Sequence, residues 1–374
     1  MLPAPKTDAL SLADVLRSSL DSIAGRPNRL SLAPVENAIV LLVDGLGADA
    51  LRARAGHART LATALSPKST IDAGFPTTTA AALATLTTGE RPGRTGMVGY
   101  SVLDPAHDRL VNQLTGWDDR LDPATWQLAP TLFETAVVEG FEALAIGPQR
   151  YRGSGFSGAV LRGARYVSAA SIADRMRAAA EQIRKPGAHR IVYVYVPELD
   201  QAGHSHGWES SQWTSALETT DAAVRDLVAS LGRRDGLLVT ADHGVVDIPQ
   251  HAQVLVDGPL LDGVRFIGGE PRCLQLYLEP GADRAAVADR WRAAEDSRAW
   301  VATRDEAVAA GWFGEVLPEV LPRIGDVLVA ARKNIAYYDG RFPNAHNRGM
   351  VGQHGSWSPA EMRVPLLRFG AWAT

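Results

Sequence analysis

Four stretches of the chain are apolar almost without interruption: "NAIVLLVDG" (37–45), "FEALAIG" (141–147), "RIVYVYVPELD" (190–200) and "GLLVTADHG" (236–244). A strand with one solvated face alternates apolar and polar residues, whereas a strand covered on both faces, as in a parallel sheet, does not. Between these runs the apolar positions recur at helical spacing, in "LFETAVVE" (132–139), "SIADRMRAAAEQIRK" (171–185) and "SSQWTSALETTDAAVRDLVASLG" (210–232). Strand alternating with helix predicts an α/β fold, a doubly wound and mainly parallel sheet flanked by helices. From about 250 to 345 the texture shifts to short segments such as "RCLQLYLE", "RAAVADRWRAAE" and "AWVATR", punctuated by Gly and Pro. That stretch reads as a small α+β cap subdomain, 250–345, inserted in a single domain spanning 1–374, and "MRVPLLRFG" (362–370) returns to the core.

Composition narrows the class. With 374 residues, 46% hydrophobic and 21% charged, the chain can bury a large core and is not disordered. A net charge of -4 and a pI near 6.2 argue against a general polyanion binder, so nucleic acid is not an expected partner. Cys273 is the single cysteine, which excludes an intrachain disulfide and a thiolate cluster. Any metal must therefore be held by nitrogen and oxygen. The N-terminal "MLPAPKTDALSLADVLRSSLDS" has helical spacing in place of a basic region and an apolar core segment. The longest apolar runs fall far short of the ~20 residues a membrane span needs. The expectation is a protein without a membrane span, in the cytoplasm.

Three core strands run into acid: Asp44 after "VLLV", Asp200 after "VYVPEL" and Asp242 after "LLVTA". Open parallel sheets carry their functional groups at the carboxyl ends of the strands, so these carboxylates should converge on one rim. Histidines accompany them. Asp200 and His204 are four apart across an expected glycine turn, Asp242 and His243 are adjacent, and "GMVGQHGSWSP" presents His354 between glycines. A lone Asp after a strand is commonly a turn residue and a lone His commonly structural; three of each suffice for two divalent ions, with zinc the first expectation and manganese the alternative. Paired ions serve in-line phosphoryl displacement, and a cation also activates a hydroxyl nucleophile. "FPTTTAAALATLTTG" (75–89) offers three threonines at a strand-to-helix junction, each equally well a cap or strand-end residue.

The ordered set "VDGLG", "PTTTA…TTG…G" (76–96), "DxxGHxxG" (200–207), "ADHG" (241–244) and "QHG" (353–355) resembles the alkaline phosphatase superfamily, in its nucleotide pyrophosphatase/phosphodiesterase branch. The resemblance covers about 38–370. It implies Thr79 as nucleophile, since the glycine of the downstream "TG", Gly89, lies ten residues beyond it, with Thr77 and Thr78 structural. It also implies one metal on Asp200, His204 and His354, and the other on Asp44, Asp242, His243 and the Thr79 oxygen. Glu198 is expected to be supporting, and His206, Arg91 and Arg94 to face solvent. His251 and His346 are placed in the cap.

Two departures touch the substrate. Where the branch commonly has a phosphate-holding asparagine this chain has Tyr100, and where it has a base-stacking aromatic after the nucleophile this chain has Ala80. The Ala80 amide, Tyr100 and Tyr195 are the expected substrate contacts. The resemblance implies a small-molecule phosphoester substrate and hydrolysis of a phosphodiester or phosphoanhydride through a phosphothreonine intermediate. Phosphonoacetate-type C–P cleavage, monoester hydrolysis and phosphoryl transfer are the enzymatic alternatives. An inactive metal-stabilised binding protein is the remote one.

Overall fold

The computed structural model describes residues 1–6, 8–187, 189–342 and 346–373, with backbone alone at His346 and Asn347. Seven strands form the central sheet, in the order Thr70–Asp72, Arg363–Gly370, Asp235–Thr240, Asn37–Val43, Arg190–Val196, Glu142–Gly147 and Arg165–Ser168. The last five are mutually parallel, and Arg363–Gly370 runs antiparallel beside Asp235–Thr240. Every residue of Asn37–Val43, the middle strand, is buried, which is why its sequence carries no polar alternation.

Two groups of helices cover the sheet. Leu12–Ile23, Thr79–Thr88 and Leu132–Val138 pack together, and so do Ile172–Ile183 and Ser211–Ser230. The starts of several are written locally. Thr131 and Ser171 close capping boxes with Glu134 and Asp174, satisfying N–H groups that the first turn leaves without partners. No helix among the described residues is long and apolar enough to cross a membrane. Cys273 is buried and unpaired.

Residues 250–345, whose last three lie outside the described residues, contribute a four-stranded antiparallel sheet in the order Val264–Glu270, Cys273–Leu278, Val327–Ala331, Ala299–Thr303. Val287 and Trp291 of the helix Arg284–Glu295 form a core with Leu274, Leu276 and Val329 of this sheet. Cys273, Leu328 and Ala330 instead join Phe75, Ala80 and Ala84, at and beside the start of Thr79–Thr88. This sheet is thereby fastened to the helix that begins at Thr79. Strand Arg165–Ser168, at the edge of the central sheet, and the separate hairpin Ser101–Asp104/Arg109–Asn112 were not picked out by the periodicity.

Candidate active site

The carboxyl ends of the parallel strands bring the expected groups together. Asp44 directly follows Asn37–Val43, and its N–H donates to the Val196 carbonyl at 2.9 Å. Asp242 lies two residues past Asp235–Thr240, where its Oδ1 accepts from the N–H groups of Gly45 (3.1 Å) and His243 (3.0 Å). Gly45 sits at φ +74°, and a Cβ there would stand 3.0 Å from Asp200. Glycine at that turn lets the Asp200 helix approach Asp44.

One local expectation is corrected. Asp200 and His204 do not straddle a glycine turn: strand Arg190–Val196 stops at Pro197, and both lie on the helix Glu198–His206. Proline's fixed φ suits a helix start, and positions i and i+4 share a face, so His204 Nε2 comes within 3.3 Å of Asp200 Oδ2. The glycine of the motif is inside the helix.

The three histidines are oriented alike. Nδ1 of His204 donates to the Gly352 carbonyl (2.7 Å), that of His354 to the Thr77 carbonyl (2.7 Å), and that of His243 to the Gly244 carbonyl (3.2 Å). A carbonyl can only accept, so each Nδ1 carries a proton and each ring turns its Nε2 toward the carboxylates, the edge a metal would use. His243 Nε2 lies 3.3 Å from Asp242 Oδ2 and 3.5 Å from Asp44 Oδ1. His354 Nε2 is 4.0 Å from Asp200 Oδ1, and its ring stacks on His243 with centroids 3.6 Å apart.

This donor set fits divalent cations. Asp44 Oδ1, Asp200 Oδ1 and Asp242 Oδ2 are buried and without hydrogen-bond partners among the described residues. Burial first, then the charges of Asp242 and Asp200, raise the Asp44 pKa well above the usual carboxylate range. Burial, with His243 and His204 beside it, lowers that of His354. Three crowded, buried carboxylates are short of positive charge, which bound cations supply. Two compact trios form, Asp44/Asp242/His243 and Asp200/His243/His354. His243 thus stands between the expected sets, and His204 flanks the second through Asp200.

The threonines separate by contact. Thr79 is the first residue of Thr79–Thr88, and its hydroxyl donates to His243 Nε2 at 3.2 Å. Thr78 is the N-cap. Thr77 ties down the His354 loop: its hydroxyl donates to the Ser356 carbonyl and accepts from Gly355 N–H, both at 2.9 Å.

Beside the cluster lies a pocket of about 580 Å³ that Thr79, Asp44, Asp200, His204, His354, Tyr100 and Tyr195 all line. Tyr195 also donates its hydroxyl to Asp44 Oδ2. The Ala80 side chain packs in the core with Phe75 and Met97, and the pocket's aromatic walls come from Trp117, Tyr151 and Phe156. Glu198 pairs with buried Arg175, Arg94 pairs with Glu90 and Glu315, and His206 and His251 are exposed. His346 lies outside the described side chains. Glu270 escaped the sequence reading: it is buried, its Oε1 accepts the Tyr100 N–H at 3.0 Å, and burial pushes its pKa up to about 8. An acid in "GGEPRC" ahead of an apolar strand was the available signal.

The profile of the family described as type I phosphodiesterase/nucleotide pyrophosphatase matches residues 38–357. Murine ectonucleotide pyrophosphatase/phosphodiesterase 5 has a similar structure, with TM-score 0.70 and 16% identity over 89% of this chain and 88% of that one. Phosphonoacetate hydrolase from Sinorhizobium meliloti, solved with phosphonoacetate, gives TM-score 0.69 and 16% identity over 90% of this chain and 91% of that one. An ectonucleotide pyrophosphatase/phosphodiesterase 1 of Saccharomyces cerevisiae is 32% identical over 84 residues, 20% of this chain and only 11% of the yeast protein's length.

Proposed function

Given that the chain belongs to the type I phosphodiesterase/nucleotide pyrophosphatase family of the alkaline phosphatase superfamily, we propose that it hydrolyses phosphodiester or phosphoanhydride bonds with Thr79 as nucleophile. The family is metal-dependent. Asp44, Asp242 and His243 would hold one divalent ion and Asp200, His204 and His354 the other, zinc first by donor chemistry and manganese second. When bound, such ions lower the pKa of a hydroxyl and offset charge on phosphoryl and leaving oxygens.

The observation that carries the reading is the place of the Thr79 hydroxyl. It begins a helix, touches His243 and opens on a pocket shared with Asp44, Asp200, His204 and His354. In the first step the Thr79 oxygen attacks phosphorus, the bond to the leaving oxygen breaks, and phosphothreonine forms. Water then attacks the same phosphorus and returns the oxygen to Thr79. The first-turn N–H groups, Ala80 included, have no intrahelical acceptor and face developing charge on the phosphoryl oxygens. The pocket accepts the organic part of a small-molecule ester, with Tyr100 and Tyr195 in its wall.

Elemental analysis together with turnover of an aryl diester and the matching monoester tests this. The expected result is close to two ions per chain and a faster diester. Thr79→Ala should keep the ions and lose turnover by at least ~10³. Protein that stays metal-free in excess zinc and manganese, or Thr79→Ala with full activity, refutes it. Carboxylated phosphonates are the second reading, favoured by Arg150 in the same pocket wall. Phosphonoacetate turnover that Arg150→Ala abolishes would establish it.

A further inference from the structure

The cluster stands where two pockets meet. The second, of about 650 Å³, runs between the hairpin at 101–112, the strand Val264–Glu270 and the segment 337–342. Tyr100, Met350, His204 and His354 line both pockets. A phosphoryl group centred on the cluster therefore has room for one substituent on each side, and the chemistry of the second pocket decides what the far one can be.

Apolar and aromatic side chains predominate there, among them Phe266, Ile267, Leu274, Phe342 and Met350. Its two arginines among the described residues are already engaged. Arg341 donates Nε and Nη2 to Asp339 and Nη1 to the carbonyls of Val264 and Arg265. Arg265 pairs with Asp108 and lies over the Phe266 ring. Glu270, in the same wall, adds a buried carboxyl group whose Oε1 accepts the Tyr100 N–H. A phosphate as leaving group would find both guanidiniums already occupied. An uncharged organic group would meet apolar surface.

Resting on the phosphoesterase reading above, we propose that this cap-side pocket holds an uncharged organic group on the second ester oxygen. The chain is then a diesterase for phosphates carrying two organic arms, and it discriminates against phosphoanhydrides.

The test has two readouts. The first is kcat/KM for phenyl 4-nitrophenyl phosphate, methyl 4-nitrophenyl phosphate and P1,P2-diphenyl pyrophosphate under equal metal loading. The two-aryl diester should exceed each of the others at least tenfold. Phe342→Ala, at a site 65% exposed and so tolerant of change, should reduce the two-aryl to methyl ratio severalfold. Ile267→Trp, which fills the pocket, should reduce it further. The second readout is calorimetric binding of diphenyl and methyl phenyl phosphate to metal-loaded Thr79→Ala protein, where no turnover is needed. Tighter binding of the diphenyl ester, weakened by Phe342→Ala, supports the pocket even if wild-type protein hydrolyses nothing, which would sink the phosphoesterase reading alone. Equal binding of the two esters, a ratio unmoved by both variants, or a preference for the anhydride overturns the proposal.

Discussion

Replacing Glu361 by alanine should lower the melting temperature by several degrees, because one buried carboxylate joins the four-stranded antiparallel sheet to the loop that carries His354. Glu361 receives Arg272 through two parallel bonds, Nε at 2.8 Å and Nη2 at 2.7 Å, and both side chains are fully buried. Arg272 sits between two strands of the cap sheet and donates Nη1 to the carbonyls of Lys333 and Ile335. Glu361 Oε1 also accepts the Ser356 N–H at 3.0 Å, two residues beyond His354, and its backbone carbonyl accepts the Gly244 N–H at 2.9 Å, next to His243. Removing the carboxylate strands a buried guanidinium, which typically costs ~3–5 kcal/mol. Unfolding entropy of about 2.1 cal/mol/K per residue amounts to roughly 0.8 kcal/mol/K for this chain, so the expected fall is ~4–6 °C. Thermal unfolding in chelator measures it without interference from bound ions. The double variant Arg272→Met/Glu361→Met removes both charges and should recover most of the loss, since a buried pair replaced by apolar groups is often neutral. A shift under ~1 °C for Glu361→Ala, or a double variant no better than the single, would refute the reasoning.

Thr77→Ala removes two buried hydrogen bonds to the His354 loop and should cost ~1–3 kcal/mol of stability while turnover survives in reduced form; loss equal to that of Thr79→Ala would contradict the division of roles. Tyr195→Phe takes the hydrogen bond from Asp44 and should weaken metal binding ~10-fold in competition with a chelating dye, a typical effect for a group that orients a ligand; unchanged affinity would make Tyr195 a pocket wall only. For Glu270 the pKa rises from 4.5 to about 8 on folding, so the native state holds a proton that the unfolded chain releases. Its stabilising contribution is complete below pH ~4.5 and is lost as pH climbs towards ~8, at ~1.4 kcal/mol per unit within that window. Glu270→Gln should therefore flatten the fall of melting temperature between pH 6 and 8 by ~2 °C per unit in chelator, and parallel curves for the two proteins would reject the assignment.

Local pattern was enough for the sheet and for half of the site. Unbroken apolar runs fit strands covered on both faces, and Asp44 and Asp242 come one and two residues after two of them, so their convergence on one rim was legible before any coordinates. The threonines were legible only as a helix start. Resemblance pointed to Thr79, and its contact with His243 sets it apart from the Thr77 that clamps the His354 loop. Four-residue spacing between Asp200 and His204 fits a turn as well as a helix face, and the glycine between them favoured the turn, an expectation that the helix Glu198–His206 overturns. His354 reaches the cluster because its ring bonds the Thr77 carbonyl, 277 residues away in sequence. Trp117 likewise joins Tyr151 and Phe156, more than thirty residues on, to wall one pocket, and Arg272 meets Glu361 across 89 residues. Periodicity and capping report what a residue does with neighbours a few positions away; which distant side chains share a cavity, or a buried charge, follows only from how the finished elements pack.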